Sequence, residues 1–520
     1  MRRKRYYGNS HGPGASGLSL QRTSRVSRSE AHLFIVQIAS ECAPAAKVGG
    51  LADVIYGLSR ELEIRGHAVE IILPKYDCMN CDTIWGLTIT YQDLWVPWYG
   101  GSIHCSVWFG FVNGRKCFFI EPHSKENFFA RRAYYGCADD VMRFAFFTKA
   151  AMEFLLKSGK RPEIIHVHDW QTGLAPVLLY EMYREMDRLR VCFTIHNFHH
   201  QGVIGGDVLR ATGLNRPEFF FRYEQMRDNA NAGALNFMKG GIVYSNFTTT
   251  VSPHHAWEAR NTDQGCGMQP TLKTHQNKFG GVLNGVDCDE WNPEIDTHIP
   301  VHFARVGIEG KYKNKDALRE RLMLRNEYKP LIACIGRLDH QKGLHLIKHA
   351  LFYAMRHGAQ FVLLGVASNN AIAADFGNVK RQINDNPDSH IELAFNEDLA
   401  HLLYAGADML FVPSMFEPCG LTQMIAMKYG TVPVVRGVGG MVDTVFDKDH
   451  STLAPDERNG YVFAAADNKA VESTLDRAIS CWYKYPKDWR VLMENGMKYD
   501  YSWNLPGRHY INIYEHIRCK

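Results

Sequence analysis

Between residues 331 and 435 the chain alternates short apolar runs with amphipathic stretches, and this rhythm constrains the fold more than any other feature. Leu331–Ile335 reads as a strand, Leu344–Arg356 as a helix ending near Gly358, and Gln360–Leu364 as a strand. A helix near 371–384, a strand Ile391–Phe395, a helix Leu399–Ala405 and a strand Met409–Pro413 follow. A helix Leu421–Tyr429 and a strand Val432–Val435 complete the series. Strands this apolar, separated by helices, must be covered on both faces, which predicts a parallel sheet in an α/β protein.

The first half carries the same rhythm less plainly. Leu33–Ala39 reads as a buried strand, residues 41–50 as a loop, and Leu51, Val54, Ile55, Leu58 and Leu62 recur at helical spacing until Gly66. Val69–Leu73 is the next strand. The aromatic stretch between Trp85 and Phe147 predicts hairpins and then a helix at 138–157; residues 503–517 read as helical again. Two Rossmann-like halves result, with a break within 270–300.

Hydrophobic residues at 46% and charged residues at 22% of 520 exclude a disordered, collagen-like or disulfide-stapled chain. No apolar run approaches the ~20 residues that span a bilayer, so no membrane partner is expected. The first thirty residues hold seven basic side chains against Glu30 alone, or +6; with +4 for the whole chain, the remainder carries about −2. A body so nearly neutral does not predict a nucleic-acid partner. The Arg- and Ser-rich leader has the composition of an organelle transit segment, with a disordered tail as the alternative. Thirteen cysteines, scattered through apolar stretches, suit buried thiols in a reducing compartment. Cys78 and Cys81 form one Cys-x-x-Cys, which leaves a redox pair open and a metal site without its second half.

Several loops carry chemistry. Lys47-Val-Gly49-Gly50 sits at a strand-to-helix turn, where backbone amides and a helix dipole favour phosphate. It matches neither the dinucleotide fingerprint nor a Walker loop. Gly336–Gly343 opens the helix after Leu331–Ile335, and its Arg337 and Lys342 can converge on a diphosphate. Glu417 precedes another helix start, placing a carboxylate beside the amides of a helix N-terminus, where it holds a sugar hydroxyl or a developing cation, or caps the helix. The pairs His166/His168 and His196/His199 raise a metal question. With no HExxH and no evident carboxylate partners, hydrogen bonding to a polyol is favoured over zinc. Asp443 reads as a turn or capping residue.

These motifs resemble the bacterial glycogen synthase and plant starch synthase family, glycosyltransferase family 5. The matching blocks are KVGGLADV (47–54), HVHDWQT (166–172), TIHNF (194–198), TTVSP (249–253), LNGVD (283–287), GRLDHQKG (336–343), PSMFEPCGLTQMIAMKYG (413–430) and GGMVDT (439–444). Val48 and the DDVMRF segment at 139–144 look like starch synthase classes III and IV. The resemblance implies a GT-B fold, two Rossmann-like domains facing each other across a cleft. Its parts are a leader over 1–30, an acceptor-side domain over 31–275, a nucleotide-sugar domain over 276–502, and a terminal helix (503–520) packing back on the first domain. It implies ADP-glucose as donor, an α-1,4-glucan or malto-oligosaccharide as acceptor, retention of configuration, no cofactor and no metal. Plastid stroma is the implied compartment, with bacterial cytoplasm as alternative.

By position, Lys47, Gly49, Gly50 and Asp53 match donor-side residues, and Asp169 and His196 match sugar-contacting ones. Arg337 and Lys342 match the pair that neutralises the leaving diphosphate, Glu417 the essential glutamate, and Cys419–Thr422 the amides beside it. Phe395 takes the place of a tyrosine that stacks on adenine. Where related retaining enzymes carry a second glutamate, this chain has Ile425. Two other readings stay open on the residues alone: a catalytically weak glucan-binding protein that primes granules, and a pyridoxal-phosphate phosphorylase.

Overall fold

The structure, a computed structural model, describes residues 32–383 and 385–520; the basic leader expected over residues 1–30 lies outside them. The first lobe is built on a nine-stranded sheet. Its strands are β1 (Phe34–Ile38), β2 (Ala68–Pro74), β3 (Ile84–Trp98), β4 (Gly101–Val112), β5 (Arg115–Pro122), β6 (Ile164–His168) and β7 (Arg190–Ile195). After a small ribbon of β8 (Val203–Ile204) and β9 (Leu235–Asn236) come β10 (Phe247–Thr250) and β11 (Phe279–Gly281). Their order is β11-β10-β7-β6-β1-β2-β5-β4-β3, parallel except for the hairpin edge of β3, β4 and β5. β11 carries this sheet past the boundary expected at residue 275, because Phe279–Gly281 pairs with Thr248–Thr250.

The second lobe holds six parallel strands: β12 (Leu331–Ile335), β13 (Gln360–Leu364), β14 (Ser389–Glu392), β15 (Met409–Val412), β16 (Val432–Arg436) and β17 (Tyr461–Phe463). Their order is β14-β13-β12-β15-β16-β17. β13 and β15 are buried along their whole length, as strands with helices on both faces must be. The helix Leu344–Arg356 covers one face with Leu346, Ile347, Ala350, Leu351 and Ala354, each large aliphatic side chain contributing about 1.5–3 kcal/mol on burial. The last helix, Asn504–Arg518, returns to the first lobe, where Tyr510, Ile511, Tyr514 and Ile517 join Leu33, Ile35, Leu58, Leu62 and Cys192 in one cluster.

One expected element is shorter. β14 ends at Glu392, so Phe395 does not close a strand but stands in the loop beyond it, 82% exposed. The reason is the neighbour: β13 ends at Leu364, the register partner of Glu392, and no ladder remains for residues 393–395. That exposure also rules out a core phenylalanine capping the sheet.

Both sheets reverse direction of growth at their first strand. In the first lobe β1 lies between β2 and β6; in the second β12 lies between β13 and β15. The loops leaving the carboxyl ends of strands at such a reversal splay apart and form a crevice, the usual ligand site of open α/β sheets. Residues 41–49, 169 and 196–200 leave β1, β6 and β7; residues 336–343 and 413–421 leave β12 and β15.

Candidate active site

The two crevices meet across the cleft. The His199 ring, after β7, stacks on Phe416, after β15, with centroids 4.2 Å apart. Glu290 and Glu397 of the second lobe act electrostatically on Lys47 of the first.

On the first lobe, Lys47 pairs with Asp53 at 2.8 Å. Burial works against the lysine's charge, but Asp53, Glu290 and Glu397 outweigh it and raise its pKa. Asp53 is also pushed up, by burial first, with Lys47 pulling the other way. The loop is fixed from beneath by a residue the motifs did not single out. Glu41, buried, accepts the Val48 and Gly49 N–H groups at 2.7 and 3.0 Å and the Tyr135 hydroxyl at 2.6 Å. Gly49 has φ −146°, open to any residue, and a Cβ on Gly49 or Gly50 would meet nothing within 4 Å. Packing therefore does not demand glycine at either position.

The histidines are arranged differently from the sequence expectation. His166 and His168 are fully buried and bond to protein groups, so neither meets a polyol or a metal. His166 joins Tyr514 and Thr194 at 2.8 and 2.6 Å; His168 joins Gln37 at 2.9 Å and His196 at 3.1 Å. The Gln37 amide donates to Ser59, so its oxygen takes the His168 Nε2–H. His168 Nδ1 is then an acceptor for His196 Nε2–H, which leaves His196 Nδ1 with a lone pair. Burial lowers the His196 pKa to about 3 and keeps the ring neutral. Asp169 sits at φ +55°, a strained conformation of the kind found at functional sites, and accepts the His196 N–H at 2.6 Å. Burial pushes its carboxyl up to about 7. It holds the loop that carries His196.

On the second lobe, Lys342 Nζ lies 2.5 Å from Glu417, whose same oxygen also accepts the Ser414 hydroxyl at 2.9 Å. Glu417 is 9% exposed. Arg337 pairs with Asp339 at 2.8 Å and presents a side chain that is 59% exposed. Arg337, Lys342, Ser414 and Thr422 line one pocket at the ends of β12 and β15. Gly420, at φ +70°, admits no side chain, since a Cβ would stand 2.5 Å from Gln423 Oε1. Leu421 and Thr422 begin the helix Thr422–Lys428. Cys419 is buried, its thiol pushed up to about 12, and is no nucleophile.

Among the described residues no hydrogen bond or ion pair joins the Lys47–Asp53 pair to the Lys342–Glu417 pair; they face the cleft from opposite lobes. Cys78 and Cys81 are free, and burial raises the Cys78 pKa, opposite to what a redox thiol needs. Asp443 caps a helix, but in the other lobe: its carboxylate accepts the His254 N–H at 2.9 Å.

Two Rossmann-like lobes, with the Lys47–Gly50 turn on one wall and a lysine, an arginine and a buried glutamate on the other, define a glycosyltransferase of the GT-B fold. A model of the starch synthase catalytic domain matches residues 34–274, and one of group 1 glycosyl transferases matches residues 316–494. Glycogen synthase 2 of Methylococcus capsulatus is 63% identical over 487 residues, 93% of this chain and all of that one. Glycogen synthase 1 of Synechococcus sp. JA-3-3Ab is 64% identical over 489 residues, 94% of this chain and all of that one. The catalytic domain of starch synthase IV from Arabidopsis thaliana, bound to ADP and acarbose, superposes with a TM-score of 0.90 at 41% identity, covering 94% of this chain and all of that one. The chain belongs to the glycogen synthase and starch synthase family. The two relatives named are bacterial, so the plastid expectation draws no support from them. No helix among the described residues is long and apolar enough to cross a membrane.

Proposed function

We propose that this protein is a retaining glucosyltransferase that moves glucose from ADP-glucose to the non-reducing end of an α-1,4-glucan, in a bacterial cytoplasm. The observation that carries the reading is the contact of Lys342 with Glu417 at the crevice of the second lobe, with Arg337 beside it. Starch synthase IV, solved bound to ADP and acarbose, supports an adenosine diphosphate and a saccharide as the ligands of this site.

The transfer breaks the bond from the sugar C1 to the β-phosphate oxygen and forms one from C1 to the acceptor hydroxyl. Negative charge grows on the departing diphosphate, where Arg337 and Lys342 oppose it, and positive charge grows at C1, where the Glu417 carboxylate does. Two fixed cations suit this role without a cofactor or metal. Attack on the face from which ADP leaves retains configuration, and the acceptor's proton passes to the departing phosphate oxygen. His196 Nδ1 accepts a hydrogen bond from a glucose hydroxyl, and the exposed Phe395 ring stacks on the base. Closure of the lobes keeps water from C1.

The test is ADP release from ADP-glucose with glycogen, compared across a panel of nucleotide sugars. We expect turnover with ADP-glucose and chain extension by α-1,4 linkages. Binding of glycogen without ADP release would favour the weak glucan-binding reading instead.

A further inference from the structure

The helix Pro253–Asn261 follows β10 in the first lobe, and Ala256 and Ala259 pack into that lobe's core. Its polar side reaches the second lobe at two points. Asp443 caps its first turn through the His254 N–H. One turn on, both carboxylate oxygens of Glu258 accept the Gly439 N–H, at 3.1 and 3.2 Å. Glu258 is 8% exposed. Burial disfavours its charge, but His254, His255 and the Gly439 N–H together hold its carboxyl down at about 2.

What Glu258 holds is the turn on which the catalytic glutamate rests. Gly439 has φ +46°, and a Cβ there would stand 2.0 Å from the Glu417 carbonyl oxygen. The next amide, of Gly440, donates to the Glu417 carbonyl at 3.1 Å. Arg436, at the end of β16, fixes the same segment from the other side through the carbonyls of Ser414 and Met415, at 3.3 and 2.7 Å. Glu258 acts electrostatically on that arginine too. One carboxylate of the acceptor-side lobe thus bears on both supports of residues 414–417.

We propose that Glu258 is a positioning residue for glucosyl transfer: across the cleft it holds the Gly439–Gly440 turn, so that Glu417 is aligned when the two lobes engage. It touches no reacting atom. Its effect is to make alignment of the glutamate depend on contact between the lobe that carries the acceptor and the lobe that carries the donor. The inference rests on Glu417 being the transfer-site carboxylate.

The experiment is steady-state kinetics of Glu258→Ala, Glu258→Asp and Glu258→Gln with ADP-glucose and glycogen, beside ADP binding by calorimetry. Glu258→Ala should lower kcat about 10–100-fold. KM for ADP-glucose and the Kd for ADP should move less than threefold, because Arg337, Lys342 and Phe395 all lie on the second lobe. Glu258→Asp keeps the charge but withdraws it from Gly439, and should show the same kcat loss if the alanine variant does not fold. Glu258→Gln, whose amide oxygen still accepts the N–H, should recover at least a third of wild-type kcat. Full kcat in Glu258→Asp, or kcat falling together with ADP affinity, overturns the proposal. A wild-type enzyme that releases no ADP from ADP-glucose overturns the functional reading itself, a distinct result.

Discussion

Replacing Lys342 by alanine tests the charge arrangement most directly. Its ammonium stands 2.5 Å from a glutamate carboxylate whose side chain is only 10% exposed, and is itself 22% exposed. For charges ~3 Å apart at an effective dielectric near 20, the attraction is on the order of 5 kcal/mol before desolvation is subtracted. Removing the lysine therefore leaves Glu417 supported by Ser414 alone, a loss of about 1–3 kcal/mol of stability from the unpaired buried group. It also takes one cation from the leaving diphosphate, and loss of a fixed transition-state charge donor costs about 2–4 kcal/mol, or roughly 30- to 1,000-fold in kcat. Lys342→Ala and Glu417→Ala should each lose turnover on this scale. The double variant should lose far less than the product of the two, because the pair acts as a unit. The assay is coupled ADP release at saturating ADP-glucose, with thermal unfolding to show that each variant is folded. A kcat within threefold of wild type in Lys342→Ala, or full additivity in the double variant, would refute the assignment.

Phe395→Ala should raise KM for ADP-glucose roughly tenfold, since stacking on a base is worth about 1–3 kcal/mol, with a smaller effect on kcat and no change in melting temperature at so exposed a site. Phe395→Tyr should be nearly silent; unchanged ADP binding in the alanine variant places the adenine elsewhere. Gly49→Ala and Gly50→Ala should leave stability unchanged, because a Cβ meets no protein atom, yet weaken donor binding measured as KM; a fall in melting temperature with normal KM would show that packing sets these glycines. His166, His168 and His196 are held neutral by burial, below their ordinary pKa, so the unfolded chain takes up more protons than the native one below about pH 6.5. Stability should fall as pH drops through that range, by about 2 kcal/mol at pH 5 for each of His166 and His196, whose pKa values lie near 3. Asp169, raised to about 7, regains about 2 kcal/mol over the same interval. Urea unfolding at pH 7 and pH 5 should show the net loss, and His196→Gln should make it smaller; an unchanged slope in that variant would mean the ring is not buried neutral.

Local order was legible in the sequence wherever it follows from hydrophobic periodicity. The helix Leu344–Arg356 and the strands Leu331–Ile335 and Gln360–Leu364 lie where the pattern puts them. A strand's interior is set by its own side chains, and its end by how far its neighbour extends, which is why Ile391–Phe395 stops three residues early against β13. Loop chemistry was also legible in kind: Lys47, Arg337, Lys342 and Glu417 sit at strand-to-helix turns, where cations and carboxylates have few structural duties. Their partnerships were not. Lys342 and Glu417 meet across 75 residues, His166 and Tyr514 across 348, Glu258 and Gly439 across 181. Glu41 and Glu258 carried no signal beyond being acidic, since their importance lies in which amides they accept. The sequence by itself determined the layers of the two sheets and the kinds of side chain at their carboxyl ends, because both follow from short-range periodicity. Only the tertiary structure decided which histidines are buried against one another, and which carboxylate pairs with lysine and which with main chain. Those outcomes depend on burial and on distances of 2.5–3.5 Å between residues that the chain order leaves far apart.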